Sequence, residues 1–96
     1  MACKLSAGAM TERKQLLAEL THGVKEQREL KEGVALRFEA SSDAITNLGR
    51  LIALERECCP FLRFRLLIEA GDGPLWLEIT AQPAAQGLVR ELFPAT

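Results

Sequence analysis

Residues 56 to 61, Arg-Glu-Cys-Cys-Pro-Phe, set two thiols side by side just ahead of a proline. Thiolates favour soft or borderline ions such as Cu(I) and Zn(II), and by the same logic Hg(II) or As(III). Two ligands do not complete a structural zinc site, which takes four. Cys3 supplies a third sulfur, on an N-terminal arm over residues 1–9 that can fold toward the pair. Glu55 stands one helical turn before both cysteines, as a weak oxygen ligand or a group behind the sulfurs. The candidate metal residues are therefore Cys58, Cys59, Cys3 and Glu55. Affinity for such an ion should fall at acid pH, because capture requires deprotonated thiols.

Three roles stay open to the cysteine pair: soft-metal capture, redox chemistry, or simple packing. Free cysteine behaves as a small hydrophobe and is among the most buried residue types. Adjacent cysteines send their side chains apart unless the chain bends, and a disulfide between neighbours is strained. Pro60 makes a bend credible by holding Cys59 away from helical angles. The pair falls at the C-terminal end of a helix, where the dipole opposes anionic sulfur. Arg56, Arg63 and Arg65 could offset that, yet neither thiol reads as strongly activated.

Other chemistry is sparse. His22, the single imidazole, reads as a surface or capping residue. Glu55 and Glu57 are two apart on a helix and point to different sides. No serine–histidine–acid set and no phosphate-cradling glycine loop are placed by the sequence. No catalytic or cofactor-binding residue is assigned, and a non-catalytic protein is the expectation.

The elements that must position these groups follow from periodicity. Thr11 to Thr21 reads as a helix capped by Thr11, with Leu16, Leu17 and Leu20 on one face and Gly23 just past its end. Val24 to Leu30 is a polar, exposed strand. Lys31, Glu32 and Gly33 make a hairpin turn into Val34 to Ala40. Ser41, Ser42 and Asp43 can cap a second helix whose inner side carries Ile45, Leu48, Leu51, Ile52 and Glu55, ending near Cys58. Phe61 to Glu69 and Leu75 to Thr80 alternate as strands around an Ala-Gly-Asp-Gly turn. Pro83 suits the first turn of a last helix with Leu88, Val89, Leu92 and Phe93 on its apolar side.

The expected fold is α+β: a four-stranded, mainly antiparallel sheet with helices on one face, in the order α-β-β-α-β-β-α. The segments ALRFEA and WLEITA align without a gap, which suggests a ββα repeat; convergence on one unit accounts for it equally well. The second sheet face carries Ala35, Phe61, Leu67 and Trp76 among charges, and predicts a covered patch such as a homodimer interface.

Ninety-six residues bound this to one small domain, over 1–96. A hydrophobic share of 48% with 26% charged residues fits a folded globule rather than a disordered tail. The net charge of -1 argues against direct nucleic-acid binding. No apolar run approaches a membrane span, and MACKLSAGAM lacks the pattern of a signal peptide. A cytoplasmic protein is expected, without a membrane partner. An odd count of three cysteines does not suit a secreted disulfide framework.

LIALERECCPFLRFRL followed by GPLWLEIT resembles small, mostly uncharacterised bacterial proteins. They share an E-x-x-C-C-P-F-x-x-F-x-[LI] stretch and a later P-[LIV]-W-L motif. CKLS and the EQREL–EG–ALRF segment fit the same likeness, which then covers nearly the whole chain. Related segments occur beside, or attached to, regulators of the mercury-responsive type. The resemblance implies a cytoplasmic bacterial protein linked to metal or metalloid stress, with such a regulator as a possible partner. It marks Cys3, Glu55, Cys58, Cys59, Pro60, Phe61 and Trp76, and supplies no reaction. Thr80-Ala81-Gln82-Pro83 stands where the pattern has Thr-Gly-Pro, which puts a glycine turn there in doubt. Two functions are therefore expected: capture of a thiophilic metal or metalloid by the vicinal cysteines, or an interaction or dimerisation module with structural cysteines. A thiol redox enzyme ranks behind both.

Overall fold

The computed structural model describes residues 5–87 and 89. Helix α1 (Ala7–His22) starts at Ser6, whose hydroxyl accepts from the Ala9 amide at 3.1 Å. Thr11 is therefore not the cap. It sits one turn inside, its hydroxyl donating to the Ala7 carbonyl. Residues 7–9, expected in the N-terminal arm, form the first turn of this helix. Gly23 does end it, with its N–H returned to Leu20 at 3.0 Å.

Strands β1 (Val24–Leu30) and β2 (Gly33–Phe38) form a hairpin with Lys31 and Glu32 at the turn. Gly33, expected in the turn, is the first paired residue of β2, facing Leu30 on one side and Thr80 on the other. Helix α2 (Ser42–Cys58) is capped by Ser41, which accepts from the Ala44 amide. Strand β3 (Arg63–Ile68) and strand β4 (Leu75–Thr80) complete the sheet. A 3-10 turn over Pro83–Ala85 follows, with Gln86 and Gly87 continuing it as helix. Leu88, Leu92 and Phe93 of the expected last helix lie outside the described residues; Val89 is fully buried.

The sheet order is β1-β2-β4-β3, and every neighbour pair is antiparallel. The chain leaves β2, passes through α2, and returns as β3, with β4 inserted between them. Sheet residues Val34, Leu36, Phe38, Leu75, Leu77 and Ile79 are buried on one face. They pack with Leu16 and Leu20 of α1 and Leu48, Leu51 and Leu54 of α2. Leu54 was not on the helical stripe read from the sequence, yet it is 2% exposed. Burial on this scale is the principal stabilising term for so small a domain. Among the described residues, no helix is long and apolar enough to cross a membrane.

The opposite sheet face is charged. Arg28 donates to Glu26 at 2.6 Å, Arg37 to Glu26 at 3.2 Å and Arg65 to Glu78 at 3.5 Å. The Arg28 guanidinium lies 4.7 Å from the centre of the Trp76 ring. Phe61 is not on this face. It precedes β3 in a turn and packs half-buried against the core.

Candidate functional site

Helix α2 stops where the sequence puts Pro60. Cys58 is its last residue, and Cys59 takes non-helical angles, φ -130° and ψ 74°. The steric demand of the proline ring on its predecessor accounts for that break. The Cys59 N–H still returns to the Glu55 carbonyl, and the Leu62 N–H donates to the Cys59 carbonyl at 3.1 Å. Those two bonds fold Cys59-Pro60-Phe61-Leu62 into a tight turn leading into β3.

The two sulfurs part company at this bend. Cys59 is 8% exposed and belongs to the apolar core. It is a free thiol, so the neighbours are not bonded to each other. Cys58 is half-buried and disulfide-bonded. Cys3, the third candidate sulfur, lies outside the described residues.

Behind Cys59 is the fourth candidate, Glu55, with 0% exposure. Its carboxylate is held by Arg13 of α1, Nε to Oε1 at 2.5 Å and Nη2 to Oε2 at 3.4 Å. Such a fork satisfies both carboxylate oxygens. Arg13 is itself 11% exposed. Met10, one turn earlier, lies with its sulfur 4.0 Å from the same guanidinium. A second pair, Arg50 to Glu12 at 2.7 and 2.9 Å, ties the same helices at the surface. The Arg50 bonds hold the Glu12 carboxyl below its usual range.

The Cys59 thiol is pushed up from its ordinary pKa by burial first and then by the Glu55 charge, to which it also hydrogen-bonds; Arg13 only partly offsets this. A thiol so placed stays protonated at neutral pH and is a poor nucleophile. The chemistry open to the site therefore centres on Cys58, with Cys59, Glu55 and Arg13 forming a buried support. Among the described residues, no three or more histidines, cysteines or acids gather as a metal would need.

Arg13 was missed by the sequence reading. A glutamate on the apolar stripe of α2 signals that some cation must cover it, but twelve basic residues compete for that place. The other marked residues scatter. Trp76 is half-buried on the far sheet face, and His22 ends α1 in solvent. Phe61 walls an open cleft of about 330 Å³ with Arg63, Thr80, Gln82 and Pro83, so the cysteine turn and the departure from Thr-Gly-Pro share one edge of the molecule.

No protein-family model, curated protein or solved structure matches this chain.

Proposed function

We propose that the protein is a small, non-catalytic binder of thiophilic ions whose working sulfur is Cys58, helped by Cys3. The observation that carries this is the division of labour at the bend: Cys58 is disulfide-bonded while its neighbour is a buried free thiol. Cys3 is the further sulfur that the sequence offers to the same ion. Once its disulfide is reduced, Cys58 offers a thiol at the surface of the bend to a soft ion. Reduction by a cellular thiol takes up two electrons and two protons. Binding of Hg(II) then releases both protons and forms two sulfur–metal bonds. Cys59 and Glu55 act behind this pair: the Glu55 carboxylate is committed to Arg13, and the Cys59 thiol favours its protonated form.

The test is native mass spectrometry of the reduced protein titrated with Hg(II) or Cu(I). One ion per chain is expected for the wild type and for Cys59→Ser, and loss of uptake for Cys58→Ser and Cys3→Ser. Uptake by Cys58→Ser equal to the wild type would overturn the assignment. We extend the proposal to a cytoplasmic role in metal stress beside a mercury-responsive regulator, on the resemblance of the Glu-x-x-Cys-Cys-Pro-Phe segment alone.

We also infer that the chain carries a ββα repeat. The supporting observation is the β2–β4 ladder, where Leu36 faces Leu77. The gapless alignment carries Leu36 onto Leu77. It also carries the pair Ala35–Glu78 onto Trp76–Arg37, which is itself a pair in the ladder. A two-fold relation between halves would produce that register.

A further inference from the structure

The two ends of the sheet are finished differently. Edge strand β1 alternates through Lys25, Glu26, Arg28 and Glu29, and a register shift between Val24 and Glu26 interrupts it. Charge and a bulge are the usual means by which an edge is kept from pairing. Edge strand β3 pairs with β4 without a shift. It holds the two exposed large hydrophobics among the described residues, Leu67 at 43% and Ile68 at 50%. Among the described residues, no strand pairs with its outer side.

We infer that β3 is a homodimer seam: two copies of the chain pair antiparallel along it, with Leu66 facing the partner's Leu66, to make one continuous sheet. The inference stands apart from the sulfur reading.

The backbone selects this arrangement. The Glu69 N–H donates to the Pro74 carbonyl of the β4 side. Antiparallel ladders alternate, so Phe64, Leu66 and Ile68 turn their N–H and C=O groups to the open edge. Pairing centred on Leu66 sets Phe64 opposite Ile68 of the other copy, so all three present those groups to one another. The side chains agree. Arg63 falls opposite Glu69, twice by symmetry, and among the described residues neither has an ion-pair partner within its own chain. Arg65 falls opposite Leu67, whose exposed surface its aliphatic stem can cover. Other symmetric registers fit worse. A centre on Arg65 stacks two guanidiniums, and a centre on Leu67 sets Arg63 opposite Gly71 in the turn and offers Glu69 to Arg65, which Glu78 already engages. An isologous contact requires such self-complementarity, and this stretch has it. An interface of one strand per copy is small, so a weak, reversible dimer is expected.

Sedimentation over about 10 μM to 1 mM tests the inference against a second copy. The wild type should dimerise. Arg63→Glu alone sets Glu against Glu69 at both ends, and Glu69→Arg alone sets Arg against Arg63; each should weaken association about tenfold. The double variant Arg63→Glu, Glu69→Arg restores both pairs and should recover the wild-type constant. Both positions lie outside the core, so folding is kept. A wild type that stays monomeric throughout, as it would if another protein were the occupant of this edge, overturns the inference. A dimer unmoved by either single reversal, or not recovered by the double, does so too.

Discussion

Replacing Arg13 by alanine strips the cation from a carboxylate that has no access to water. Glu55 is 0% exposed, and both of its oxygens depend on the Arg13 fork. Breaking a buried ion pair from one side costs about 3–5 kcal/mol, because the remaining charge is left in the interior. Arg13 retains 11% exposure, so water can follow into part of the vacated space, and the lower end, about 3 kcal/mol, is expected here. A 96-residue domain has roughly 5–14 kcal/mol in total, so the loss is a large fraction. Urea unfolding followed by Trp76 fluorescence reads it directly. With m about 1–1.5 kcal/mol per M, the midpoint should fall by roughly 2–3 M. Replacing both partners by methionine should recover most of the loss, since an apolar pair leaves no stranded charge. Full cost in the single variant with recovery in the double is the signature of a coupled pair. A loss under about 1 kcal/mol for Arg13→Ala, or a double variant no better than the single, would refute the reasoning.

The backbone offers a paired prediction. A Cβ on Gly33 would fall 1.9 Å from the Ile79 carbonyl oxygen, so Gly33→Ala should destabilise by about 3 kcal/mol or more as β2 and β4 are forced apart. Gly49 lies inside α2 with open space around it, so Gly49→Ala should stabilise by up to about 1 kcal/mol and raise Tm by several degrees in a thermal melt. Ser41→Ala removes the acceptor of the Ala44 amide and should cost about 1 kcal/mol in the same assay. Folding raises the Cys59 thiol pKa above its ordinary 9.0, so the unfolded thiol ionises first as pH rises. This contribution is whole below about pH 9 and is lost as pH climbs through the folded-state value. Wild-type stability should therefore fall with alkaline pH more steeply than that of Cys59→Ala. Equal slopes would show that the thiol is not held protonated.

Short-range chemistry made much of the fold legible in the sequence. Strict alternation located β4 at Leu75–Thr80, where the structure has it. Pro60 marked the end of α2 because its ring acts on the residue before it, with no help from the rest of the chain. Boundaries slipped where two capping residues competed: Ser6, not Thr11, starts α1, since a hydroxyl further back offered a longer helix to the same core.

What the sequence determined by itself was local: element types, their amphipathic faces, and a bend at Pro60 next to the two cysteines. Only the tertiary structure decided which strand lies beside which, that Phe61 joins the core rather than the charged sheet face, and which arginine answers Glu55. Arg13 and Glu55 are 42 positions apart, on helices whose meeting depends on the whole sheet beneath them. Periodicity carries no information over that distance. The burial of Cys59, and with it the division between a supporting thiol and a bonded one, followed from packing that forms only when both helices close over one sheet face.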